Sequence, residues 1–294
     1  MNKDRSSQPG TSHLVLYFLL AYAISWSVEI PLALSVQGLI AARIPMWIHY
    51  FASFGPILAA LIVTGLTEGG QGIRALAGRI VKWRVPGRYY AFAVLGPVAL
   101  FAAAYLVNRL VTGAWPDLSL LGKADYLPYL TPVGTLLLWL FTYSLGEETG
   151  WRGWALPHLQ RNRSAASATL MLAVLWAGWH LPAFFYRDTY IALGWIGFPM
   201  FAFSILFTTM VFTWLYNGSG GSVLIAILFH GVFNWLAVSD AGGQFAGPIM
   251  TIPVIVWALI IPRRYGMENC APVPKQVARE VERIEAAETH GAAA

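Results

Sequence analysis

The chain is a succession of long apolar runs separated by short polar breaks. Runs long enough to cross about 30 Å of hydrocarbon fall near residues 13–36, 46–66, 89–111, 130–149, 167–186, 195–216, 222–238 and 247–262. An open strand edge leaves backbone groups unsatisfied in lipid, so each run predicts a helix. The pattern predicts an all-α fold, a polytopic transmembrane helical bundle of about eight spans. The seventh run is short, and Asn217-Gly218-Ser219-Gly220-Gly221-Ser222 marks a turn before it. The first run is too long for the apolar part of a signal peptide and lacks a cleavage site, so it reads as a retained span. A membrane domain over 13–262 then lies between a polar N-terminal tail, 1–12, and a C-terminal tail, 263–294. Lys275 to Glu288 mixes charges, and a solvated tail fits that composition better than a short surface helix. The chain has no evident internal repeat.

Charge orients the bundle. With the N-terminus inside and the spans alternating, fifteen of the nineteen Lys and Arg fall inside. Only Arg43, Arg109, Lys123 and Arg187 fall outside. Positive charge is retained on the cytoplasmic face, so both termini are expected in the cytoplasm, with the chain in a bacterial plasma membrane. The pI near 9.4 has the same origin, because the basic residues lie between apolar segments; no nucleic-acid partner is implied. Charged residues make up 11% of the chain, against roughly 25% in a soluble domain. The single cysteine, Cys270, matches no disulfide or metal-binding pattern. Thirteen Trp and thirteen Tyr suit interfacial belts as well as core packing.

Few ionisable residues fall within the runs: Glu29, His49, Glu147, Glu148, His180 and His230. Glu29 precedes Ile30-Pro31 and reads as structural, tied to a kink. His49 lies near a predicted interface and reads as interfacial packing. Glu147 and Glu148 stand together after the uncharged run Thr131 to Leu145. An ionisable group at membrane depth costs at least about 2.5–3.5 kcal/mol and points to function. Glu148 and Arg152 are four apart with the acid first, the favourable order for a helical ion pair. Glu147 then points about 100° away, toward the bundle interior. A simple charge cluster at a helix end fits this segment equally well.

His180, taken alone, reads as a satisfied interior histidine. His230 and Asn234 are four apart and share a helical face, which suits either a polar clamp between helices or two donors aimed at one point. With a rise of about 1.5 Å per residue, His180 lies about 10 Å deeper than Glu147 from the cytoplasmic side. Helix tilt or a late start to the fifth span is needed to close that distance.

A glutamate, two histidines and an asparagine form a hydrolytic set. A carboxylate in an apolar pocket can act as general base on water, with a histidine orienting that water. A second histidine and an amide can stabilise an oxyanion. The same Glu147, His180 and His230 could instead hold zinc with one position open. The chain has no His-Glu-x-x-His, no Gly-x-Ser-x-Gly and no phosphate-binding glycine loop.

Three elements occur in order on successive runs: Glu147-Glu148-x-x-x-Arg152, Trp176-x-x-x-His180 and His230-x-x-x-Asn234. Together they resemble the CPBP family, the CAAX-protease and bacteriocin-processing (Abi-like) intramembrane endopeptidases, which include the type II CAAX prenyl proteases. The motif core covers about 130–240, and Glu147 to Pro157 resembles a bacterial variant of the first motif. The resemblance implies that Glu147 activates the attacking water, that His180 positions it, and that His230 and Asn234 hold the oxyanion. Glu148 and Arg152 take supporting places. No cofactor is favoured, although zinc on Glu147, His180 and His230 stays open. Trp176 stands where the family often has Phe, and this departure is expected to change packing around His180 rather than chemistry.

The implied substrate is a membrane-anchored or lipid-modified, CAAX-like peptide, reached from the cytoplasmic side. Two other classes compete with this reading. One is a catalytically silent immunity or scaffold protein on the same fold. The other is a secondary transporter coupled through Glu29, Glu147 and Glu148, although such proteins often carry repeats and broken helices.

Overall fold

All eight apolar runs are helical in the computed structural model, which describes residues 10–123, 129–243 and 245–278. Among the described residues, six helices are long and apolar enough to cross a membrane. They are α1 (Ser12–Val36), α2 (Met46–Thr67), α4 (Gly87–Thr112), α6 (Ala165–Phe185), α7 (Gly194–Gly218) and α9 (Ala246–Tyr265). A shorter amphipathic helix, α3 (Gly69–Ile80), follows α2. The fourth and seventh runs differ from the rest. The fourth forms α5, residues 132–159, a helix that twice widens into a π turn, at Leu140–Ser144 and Trp151–Ala155. The seventh forms the short α8 (Val223–Ala237). The result is a polytopic helical bundle, that of an integral multi-pass membrane protein.

Local chemistry sets the helix starts. Thr131, Ser164 and Ser222 each accept a hydrogen bond from a backbone N–H of the first turn, capping α5, α6 and α8. The glycine-rich turn between α7 and α8 needs its glycines, since Gly220 and Gly221 hold φ of 70° and 88°.

Helix α5 runs through the centre. It packs against α2 on one side and α8 on another, while α6 pairs with α7 and α7 with α9. Gly146 and Gly150 form a Gly-x-x-x-Gly face against α2. A Cβ at Gly146 would collide with the Ser53 backbone, and one at Gly150 with Pro56. Small residues at this spacing let two membrane helices approach backbone to backbone. That approach carries Glu147 and Glu148 into the interior, where they are 3% and 0% exposed. The outer faces carry exposed Leu110, Val111, Phe141 and Val174, as a lipid-facing surface should.

The tail before residue 10 and the chain beyond residue 278 lie outside the described residues. The part of the C-terminal tail that is described is partly buried. Residues 266–278 fold back on the bundle, burying Cys270 and Ala271 and joining Ala278 N–H to the Pro157 carbonyl. Gln160 and Asn217 clasp this segment through their amides. Of the mixed-charge stretch Lys275 to Glu288, only the residues up to 278 are described, so the expectation of a solvated tail falls mostly outside the described residues.

Candidate active site

Helices α5, α6 and α8 bring together the residues singled out in the sequence. Arg152 donates to Glu148 Oε1 at 3.0 Å, with both side chains fully buried. His230 Nδ1 lies 2.7 Å from the same oxygen. Glu148 is thus the bound acid, shared between a turn of its own helix and α8. The Arg152 guanidinium sits in the corner made by the rings of Trp176 and Phe212, 4.2 and 4.0 Å from their centroids, and these cation–π contacts offset part of its desolvation.

Glu147 has a different partner. Its Oε2 accepts the indole N–H of Trp176 at 2.8 Å. Trp176 also serves His180: its carbonyl accepts Nδ1–H of that ring at 2.7 Å. A carbonyl only accepts, so this contact fixes the proton on Nδ1 and leaves Nε2 as the acceptor when the ring is neutral. The Trp176 ring lies 5.7 Å from the His180 ring and 6.0 Å from the His230 ring.

The depth difference along α5 and α6 is therefore bridged by Trp176, one turn before His180. Among the described residues, no hydrogen bond joins Glu147 to His180, or Asn234 to either histidine. Asn234 sits half-buried, one turn beyond His230 on α8. Trp176 does more than alter packing, contrary to the expectation from sequence. The signal was available in its N–H, the one feature that Phe lacks, and in its i, i+4 relation to His180.

Access divides the cluster. Glu148 Oε2 and Arg152 Nε and Nη2 are sealed from solvent without a partner. Glu147 Oε1, His180 Nε2 and His230 Nε2 make no hydrogen bond and are not among the sealed atoms. As arranged, Glu147, His180 and His230 do not form a metal-binding group, and no set of three His, Cys, Asp or Glu among the described residues does.

A second polar cluster lies among α1, α2, α5 and the end of α6. Tyr186 donates to Glu29 Oε1 at 3.0 Å, and His49, 3% exposed, pairs with the Tyr143 hydroxyl and the Met46 carbonyl. His49 is buried inside the bundle, near the start of α2. Sequence could not show this, because Tyr143 lies on another span.

Residues 129–236 match the Rce1-like family, described as type II CAAX prenyl endopeptidases. This segment of the chain is similar to that family. Over 108 residues the chain is 34% identical to CAAX prenyl protease 2 of Methanococcus maripaludis. That alignment covers 35% of this chain and 38% of the relative, so the chain matches less than half of the relative's length. The matched segment includes α5, α6, α7 and all but the last residue of α8. Glu147, Glu148, Arg152, Trp176, His180, His230 and Asn234 all fall within it.

Proposed function

We propose that this protein is an intramembrane endopeptidase acting on lipid-modified, CAAX-like peptides at the cytoplasmic side of the membrane. The observation that carries the reading is the division of the acidic pair. Glu148 is held by Arg152 and His230, while Glu147 is held by Trp176 at Oε2 alone and keeps Oε1 without a hydrogen bond. The family match of the core supports a CAAX-type substrate. The clustering of Lys82, Arg79, Arg161 and Lys275 contacts around one end of the bundle supports a cytoplasmic site.

In this reading a water donates one proton toward His180 Nε2 and loses the other to Glu147 Oε1. The water oxygen adds to the scissile carbonyl carbon. His230, held by Glu148 at Nδ1, faces the developing oxyanion with Nε2 and serves it as a donor when that nitrogen carries a proton, with the Asn234 amide as second donor. Glu147 then returns its proton to the leaving amine as the C–N bond breaks, which restores the carboxylate.

The test uses full-length protein in proteoliposomes with a prenylated CAAX-type peptide, and the same peptide anchored by an acyl chain. Glu147→Ala and His180→Ala should each lower the cleavage rate by about 10²–10⁴-fold, with folding intact. Cleavage at the wild-type rate by both variants would overturn the assignment.

A further inference from the structure

Trp176 touches three of the charged or basic groups of the site, Glu147, His180 and Arg152. Its indole N–H binds Glu147, its carbonyl binds His180, and its ring face stacks on Arg152. One residue therefore sets the direction of the proposed base and the tautomer of the histidine beside it. We infer that Trp176 is a positioning residue: its N–H holds Glu147 Oε2 and so turns Oε1 toward the water.

A purely structural account is that a buried indole, 3% exposed, merely finds an acceptor. The rest of the bundle argues against it. Six other indole N–H groups among the described residues, on Trp151, Trp154, Trp179, Trp214, Trp235 and Trp257, are sealed with no partner. This interior does not require each indole to be satisfied. The bond at Trp176 goes to the acid with an open oxygen and not to Glu148, whose Oε2 is sealed and also without a partner. A carboxylate rotates about its last bond, and a hydrogen bond on one oxygen fixes where the other points. Misplacement of a reacting group by about 1 Å can cost on the order of 10²-fold in rate.

The inference rests on the endopeptidase reading, and the test separates the two. Trp176→Phe removes the N–H and keeps an aromatic ring beside Arg152. Replacement of Trp176 by β-(3-benzothienyl)alanine puts sulfur in place of N–H at nearly unchanged shape, so packing is preserved. In proteoliposomes with the prenylated peptide, both should lower kcat at least about tenfold and leave KM within about twofold. Glu147→Asp withdraws the carboxylate from the indole, so adding Trp176→Phe to it should change kcat little. Wild-type kcat in the benzothienyl variant would sink the inference. So would a Trp176→Phe loss that is as large in the Glu147→Asp background as alone. Glu147→Ala is run alongside: a full rate there removes the base, and with it the role of Trp176. A dead Glu147→Ala beside a fully active benzothienyl variant removes the role of Trp176 alone.

Discussion

Two buried polar clusters lie along α5 and are built in opposite ways. Near its end, Gln160 and Asn217 exchange two hydrogen bonds, at 3.1 and 2.8 Å, and bind the backbone of Asn269 and Gln276 as well. Both side chains are 0% exposed, and neither carries a sealed atom without a partner. Three turns earlier, Glu147, Glu148 and Arg152 are equally buried but under-satisfied, with sealed atoms on Glu148 and Arg152 and an open oxygen on Glu147. Buried polar groups are normally paired, so those left unpaired call for an explanation. The neutral cluster is a clasp that holds the C-terminal segment. The charged cluster keeps unused capacity, and the capacity that is accessible sits on the groups suited to chemistry. The clasp is saturated, and the charged cluster is not.

The sharpest way to break this comparison is at Arg152. Arg152→Ala leaves Glu148 buried with only His230 as partner. Removing one member of a buried ion pair costs about 3–5 kcal/mol. The variant should unfold at far lower temperature in detergent, and Glu148→Gln added to it should recover much of the loss. An Arg152→Ala protein as stable as wild type would show that the charged cluster is not held as an ion pair.

The clasp should fail more gently. Asn217→Leu removes the bonds to Gln160, Asn269 and Gln276 and leaves a buried Gln160 amide unmatched, worth about 1–3 kcal/mol. The consequence is local: the segment 266–278 comes away while peptidase activity stays. Cys270 reports this directly. Burial pushes its thiol up to about 11, so alkylation at neutral pH should be slow in the wild type and much faster in Asn217→Leu. Equal alkylation rates, or loss of cleavage in the Asn217 variant, would erase the distinction between clasp and site.

Legibility follows the same division. The helices were readable because lipid imposes length and apolarity on each run, and the α7–α8 turn because Gly220 and Gly221 occupy positive φ. The Glu148–Arg152 contact was readable from its spacing of four. The bond of His230 to Glu148 was not, since sequence shows which residues share a helical face and not how two helices are rotated about each other. The π turns on either side of Glu147 add residues to the helical repeat and re-aim that face, which no periodicity count registers. Contacts such as Tyr186 with Glu29, 157 residues apart, depend wholly on the packed bundle.

The smallest effect lies outside the membrane-spanning segments, where α2 meets α3. Glu68 faces His158 of α5, with Oε1 3.5 Å from Nε2. The hydrogen bond from His158 holds the Glu68 carboxyl below its ordinary range, against the opposing effect of partial burial, and the charges of His158, Arg161 and Arg79 act in the same direction as that bond. A depressed folded value means that the unfolded chain binds the proton more readily. The contribution is then fully present above the unfolded value, about 4.3, and is lost as pH falls through the lower folded value. The pair is partly open to solvent, so it contributes under about 1 kcal/mol. His158 gives Nδ1–H to the Trp154 carbonyl, so its Nε2 donates to Glu68 only in the protonated ring. Thermal unfolding followed from pH 7 to 3 should show the wild-type margin over Glu68→Gln grow as His158 protonates and fall away below about 4.3. This pair differs from both buried clusters in being neither saturated nor sealed. A margin independent of pH would mean that Glu68 acts through packing, as the amide clasp does, and not through its charge.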